Sequence, residues 1–223
     1  MTTARVEVIV TGGGTAGHVL PAIALARAHD FVLAMDECYC EVYDRAAPPG
    51  ALEACAALGG DLTNVLVFHS LSKRSSAAGI RCGFVAGDPE LIAHMNQLRA
   101  YGGAQVPLPI QEAATALWRE ETHVEENRAR YRSKIDVAER VLKGRFGFYR
   151  PPGGFLLWLD VEDGERAALA LWRDAAVRTL PGLYIARANA RGDNPGKRYI
   201  RVALVHDDAT IEAGLTRMVQ TLA

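Results

Sequence analysis

Apolar and polar positions along the 223-residue chain change their period several times. Residues 5–11, RVEVIVT, are β-branched and predict a strand. Gly12, Gly13 and Gly14 follow as a turn open to unusual backbone angles. Pro21 suits a helix start, and AIALARAH continues that helix. FVLAM at residues 31–35 is a short apolar run, read as a buried strand. A helix over residues 51–58 stops at Gly59-Gly60. NVLVFHS, ending at Ser70, and RCGFVAG are two further buried strands, separated by a loop over residues 72–79. Strands alternating with helices predict a layered α/β domain.

From Asp88 the period becomes helical. DPELIAHMNQLRAY starts with an Asp cap and sets Leu91, Ile92, Met95 and Leu98 on one face. After Pro107 and Pro109, a charged stretch to Lys143 carries apolar residues at helical spacing. It reads as one long helix, or as two with a break near Thr122. Strands follow at residues 155–161 and 199–204, and helices at 165–177 and 208–222. The boundary between a first and a second domain is placed near residue 125.

Composition narrows the class. Apolar residues make up 49% and charged residues 23%, with a formal net charge of -1. No strong field favours nucleic acid or an anionic membrane surface. The four cysteines Cys38, Cys40, Cys55 and Cys82 form no CxxC pair and have no His at zinc-ligand spacing, so reduced thiols and no metal are expected. The apolar run Val6 to Val10 is too short to span a bilayer or to serve as a signal core. A cytoplasmic protein without membrane or nucleic-acid partners is the expectation.

Candidate chemistry concentrates in HSLSKRSSAAGIRCGF, residues 69–84. Lys73 stands among serines directly after a buried strand, and Arg81 stands just before the next. A positioned lysine can attack an aldehyde. Serine hydroxyls and an arginine fork can hold a phosphate. A lysine, hydroxyls and an arginine at one strand end suit an aldehyde cofactor that carries a phosphate. Asp36, at the end of FVLAMD, adds a carboxylate that a cationic ring nitrogen would pair with. Taken singly, SxSK is a common solvated loop and Asp36 an ordinary turn cap; their order along the chain is the specific signal.

These motifs resemble those of the class I/II, fold type I, pyridoxal-phosphate-dependent aminotransferases, from about Leu25 to the C-terminus. DECY looks like the family's D-x-x-Y, SLSK its lysine motif and GIRCGF its G-x-R-x-G. PPGGFLLWLD, LPGLYI and YIRVAL resemble the family's return to its small domain, its PG turn and its arginine-bearing strand. SLSKRSSAAGIRCGFVAGDPELI is most similar to the N-succinyldiaminopimelate aminotransferase subgroup. The resemblance implies an α/β fold: a partial large domain over residues 26–125 and a small α+β domain over 126–223. It implies pyridoxal 5'-phosphate as cofactor, an amino acid and a 2-oxo acid as substrates, and a homodimer. Lys73 would bind the cofactor aldehyde covalently and later shuttle the proton. Asp36 would pair with the ring nitrogen and Tyr39 with the ring hydroxyl. Ser70, Ser72 and Arg81 would hold the phosphate. Arg201 would clamp the substrate α-carboxylate, where the plainer role is a snorkelling strand arginine.

The family's stacking aromatic, its phosphate-cradling helix start and its N-P-x-G asparagine are not found upstream of Asp36. In their place, residues 1–25 resemble the N-terminus of the UDP-GlcNAc glycosyltransferase that completes lipid II, with Gly12–Gly14 and His18 in its glycine loop. His18 is expected to be a helix-entry residue without catalytic partners. The functional expectation is a truncated, impaired aminotransferase. An inactive dimerising fragment and a UDP-sugar binder are the alternatives.

Overall fold

The computed structural model describes residues 16–103 and 105–222. The strand expected over residues 5–11 and the turn Gly12–Gly14 lie outside the described residues, as does the side chain of His18. The chain forms two compact units, Met1–Asn127 and Arg128–Ala223.

In the first unit, β1 (Leu33–Asp36), β2 (Val65–Ser70) and β3 (Gly83–Gly87) make a three-stranded sheet with β2 in the centre. β1 and β2 run parallel, and β3 returns antiparallel to β2. Strand alternation sends residues 65 and 67 to one face. There α1 (Ala16–His29) and α2 (Ala51–Ala57) lay Val19, Ile23, Ala26, Ala54 and Cys55 against Leu33, Val65 and Val67. Burial of a side chain such as Ile23 or Val65 stabilises the unit by about 1.5–3 kcal/mol. Ile23 and Ala26 are fully buried, so α1 is an integral wall of this core. Because α1 begins at Ala16, Pro21 lies inside the helix and not at its start, where it removes one backbone hydrogen bond.

Two strands differ from the buried runs that their composition suggests. β1 begins only at Leu33 and extends to Asp36, with Leu33 buried and Asp36 exposed. β3 contains no buried residue. Both are sheet edges, so neither is enclosed as a central strand would be. β3 approaches β2 closely because glycine allows it. A Cβ at Gly83 would stand 2.3 Å from the His69 carbonyl oxygen, which explains the last glycine of GIRCG.

The helices α4 (Pro89–Gly102), α5 (Leu108–Arg119) and α6 (Thr122–Leu142) follow. Asp88 caps α4 by accepting from the backbone N–H groups of Glu90 and Leu91. The apolar face expected on α4 is only partly covered: Leu91, Ile92 and Met95 are half-buried, and Leu98 is 73% exposed. The helical stretch is two helices, broken at Glu120 and Glu121, where Glu120 accepts from the N–H groups of Thr122 and His123.

In the second unit, β4 (Leu156–Asp160), β5 (Leu180–Pro181) and β6 (Tyr199–Ala203) form an antiparallel sheet with β6 in the centre. α7 (Gly164–Ala175) packs against β5, β6 and α8 (Asp208–Leu222). Leu157, Leu159, Ile200 and Val202 are buried, as are Leu171, Ile211, Leu215 and Met218 of the helices. β5 is only two residues long and has no period for a sequence reading to detect. Among the described residues, no helix is long and apolar enough to cross a membrane.

Candidate active site

The sequence-predicted residues of the first unit gather at the C-terminal ends of β1 and β2, the end where open α/β sheets receive ligands. Register places Asp36 beside Phe68, and Ser70 beside Gly83, on the face opposite Val65 and Val67. Ser70 also starts α3 (Leu71–Arg74), so Lys73 sits on a single helical turn and not in a loop. The Ser70 hydroxyl accepts the Ser72 N–H at 3.1 Å and lies 2.8 Å from the Ser72 hydroxyl. Two of the three groups expected to hold a phosphate are therefore adjacent.

The Lys73 ammonium lies 5.6 Å above the centre of the Tyr39 ring, a cation–π distance. Asp36 accepts the Cys38 N–H at 3.0 Å, which fixes the turn leading from β1 to Tyr39. Burial, followed by the Asp36 carboxylate, pushes the Cys38 thiol up to about 12, while the Lys73 charge acts in the opposite direction. Acid and amine thus bear on the same sulfur. Asp36 is exposed, and this removes the desolvation cost expected for a carboxylate ending a buried strand. Arg81 is exposed in the left-handed backbone region, with φ 54°, and donates to the Ala78 carbonyl at 3.0 Å. It lies two residues before Gly83, the partner of Ser70, and so at the same end of the sheet.

Several residues that the motifs do not announce hold Lys73 in place. Leu71 is fully buried. Arg74 is 5% exposed, donates to the Leu117 carbonyl at 2.8 Å, pairs with Glu121 and stacks on Trp118. Asn127 donates to the Lys73 carbonyl at 3.0 Å. His123 meets the Ser75 hydroxyl at 2.8 Å. The partners of Arg74 and Asn127 lie more than forty positions away, so local pattern could not reveal them.

Arg201 belongs to the second unit. It sits mid-strand on β6, in register with Trp158 and Leu180, on the face opposite Ile200 and Val202. Trp158 and Tyr199 stack beside it at 5.3 Å. Arg198 already donates twice to Asp160, at 3.1 and 2.9 Å. Among the described residues no carboxylate pairs with Arg201, which separates the two arginines by geometry.

Residues 15–218 match the family described as Aminotransferase class I and II. The match takes in residues 15–25 of the segment 1–25. Over 198 residues the chain is 35% identical to a 4-dedimethylamino-4-oxo-anhydrotetracycline transaminase of Streptomyces rimosus, covering 88% of this chain and 53% of that protein. The crystal structure of an aminotransferase from Neisseria meningitidis is 38% identical and superposes with a TM-score of 0.88, covering 93% of this chain and 53% of that one. A probable N-succinyldiaminopimelate aminotransferase from Thermus thermophilus is 26% identical, with a TM-score of 0.76 over 92% of this chain and 54% of that one. The chain therefore spans about half the length of the relatives it matches. Sequence and fold together place it in the class I and II aminotransferases, a family that depends on pyridoxal phosphate.

Proposed function

We propose that this chain carries the cofactor-holding lysine and the substrate-carboxylate arginine of an aminotransferase that moves an amino group between an amino acid and a 2-oxo acid. The observation that carries the reading is the convergence of Asp36, Tyr39, Ser70, Ser72 and Lys73 at one sheet end, with Arg81 entering β3 beside them. The donor set fits pyridoxal 5'-phosphate group by group. A carboxylate suits the ring nitrogen, a phenol the ring hydroxyl, an amine the aldehyde, and two hydroxyls with a guanidinium suit the phosphate. When bound, the cofactor supplies an aldehyde that takes up amines and a ring that draws electrons from the substrate α-carbon.

Each residue then has a stated task. Lys73 Nζ would tether the cofactor and would carry the proton to and from the substrate α-carbon. Asp36 would keep the proton on the ring nitrogen. Tyr39 would hydrogen-bond the ring hydroxyl. Arg201 binds the α-carboxylate through its planar fork. Arg74, Asn127 and Leu71 keep the single turn of α3 rigid beneath Lys73. Similarity to the Thermus thermophilus protein supports an acidic or diaminopimelate-type amino acid as the donor.

Two coarser features belong to the same proposal. Free cysteines at positions 38, 40, 55 and 82 support a reducing, cytoplasmic location. Exposed Leu98, Tyr101 and Leu108 support self-association as a homodimer. The chain spans about half the length of its relatives, and turnover by these 223 residues alone is expected to fall at least about a hundredfold short of a full-length relative's, since small misplacements are costly in rate. A coupled assay with 2-oxoglutarate and a panel of amino donors tests this, comparing the chain with Lys73→Ala. Weak turnover lost in Lys73→Ala is expected. Fast turnover lost in Lys73→Ala would show that these residues suffice, and turnover unaffected by it would remove Lys73 from the mechanism.

A further inference from the structure

The end of β2 carries a second cluster on its other face. Residue 69 alternates with residue 70 and points toward the side of Val65 and Val67, away from the Lys73 site. His69 Nε2 lies 3.2 Å from Glu37 Oε2, and His69 Nδ1 lies 3.6 Å from Cys40 Sγ. The other Glu37 oxygen accepts the Ala51 N–H at 2.7 Å, at the start of α2, where Gly50 offers no side-chain cap. The His69 ring stacks on Phe84 at 5.0 Å, and Phe84 meets Trp118 edge-on at 4.9 Å. The imidazole is thus held at both nitrogens and along its face.

This geometry selects a tautomer. A carboxylate at Nε2 only accepts, so the neutral ring carries its proton on Nε2. The Nδ1 lone pair then faces the Cys40 thiol. Nucleophile, base and orienting acid stand in the order that activates a cysteine.

We propose that Cys40 is a modification site, a thiol set to react with hydroperoxides, with His69 as its base and Glu37 orienting His69. His69 Nδ1 takes the thiol proton. The thiolate attacks one peroxide oxygen, the S–O bond forms and the O–O bond breaks. The departing oxygen takes the proton back from Nδ1 and leaves as water when the oxidant is hydrogen peroxide. Sulfur loses two electrons and becomes a sulfenic acid, while the peroxide gains them.

The other thiols provide internal contrast. Burial and Asp36 hold the Cys38 thiol protonated, up to about 12. Cys55 is fully buried. Cys82 is half-buried like Cys40, and among the described residues no imidazole is bonded to it. Cys40 first and Glu37 second raise the His69 imidazole to about 9, in keeping with a ring held between a thiol and a carboxylate.

The test treats the full chain at neutral pH with hydrogen peroxide, traps sulfenic acid with dimedone, and measures each cysteine by peptide mass spectrometry. Cys40 should be labelled at least about tenfold faster than Cys82 or Cys38. His69→Gln should bring Cys40 down to the Cys82 rate while Cys55 stays unlabelled, showing that the fold is intact. Equal labelling of Cys40 and Cys82 in the unaltered chain overturns the proposal, as does an unchanged Cys40 rate in folded His69→Gln. If His69→Gln exposes Cys55 to labelling, the Cys40-to-Cys82 ratio in the unaltered chain decides by itself.

Discussion

In the second unit, β6 lies between two neighbours with Ile200 and Val202 turned to the covered face and Arg201 to the other. In the first, β2 also lies between two neighbours, but Val65, Leu66 and Val67 are all buried and the half-buried residues Phe68, His69 and Ser70 come only at its end. The difference decides where each sheet can present chemistry. A sheet covered on one face can carry a functional side chain in mid-strand. A strand buried on both faces must wait for its end, where the covering stops and a turn such as α3 can begin. The proposed roles of Lys73 and Arg201 use these two different routes.

The comparison is sharpest in stability. Leu171→Ala in the second unit and Ile23→Ala in the first both empty fully buried positions, and each should cost about 2–5 kcal/mol in denaturant unfolding. Leu98→Ala, at an exposed position of α4, should stay within about 0.5 kcal/mol. A small effect of Ile23→Ala would mean that α1 is an appendage and that the first sheet has no closed side.

A smaller effect separates the two faces at the end of β2. His69 has its imidazole raised to about 9, by Cys40 first and then Glu37, from an ordinary 6.5. Its folded value exceeds its unfolded one, so the stability it contributes is fully present below about pH 6.5 and disappears as pH rises through about 9. Unfolding at a series of pH values should show a loss of about 1–2 kcal/mol across that window, allowing for solvent screening. The loss should be absent in His69→Gln. A flat profile in the unaltered chain would dissolve the Glu37–His69–Cys40 cluster.

Smallest in stability, yet selective in function, is the pair of arginines on β6. Neither Arg198→Ala nor Arg201→Ala should shift the unfolding midpoint measurably. With cofactor bound, Arg201→Ala should weaken an amino acid's effect on cofactor absorbance by about tenfold to a hundredfold, as loss of a charge-assisted bidentate contact does. Arg198→Ala, whose charge is spent on Asp160, should not. Equal effects of the two would remove Arg201 from its assigned task.

Much of this was legible in the residues. Strand period placed β2, β4 and β6, and the Asp88 cap placed α4; motif order supplied Lys73, Asp36 and Arg201 as the residues proposed for the site. What escaped was set by neighbours distant in sequence. FVLAM reads as buried because apolar composition does not reveal that β1 is a sheet edge. The α4 face reads as core because a periodic stripe does not say what covers it. Arg74 and Asn127 are invisible as supports of Lys73, since Arg74 reaches Leu117 near the end of α5 and the Lys73 carbonyl is met by Asn127 from the first turns of α6. Cys40 and His69 are separated by 29 positions, and only the pairing of β1 with β2 brings them together.

The role proposed for the end of β2 is to offer Lys73 to an aldehyde. The chain contains four lysines, Lys73, Lys134, Lys143 and Lys197, so the site of attachment can be resolved completely. The 223-residue chain is mixed with pyridoxal phosphate, reduced with borohydride, digested and read by mass spectrometry. The pyridoxyl group is expected on Lys73, with Asp36→Asn reducing the yield. Labelling spread evenly over the four lysines, or absent from Lys73, would contradict it.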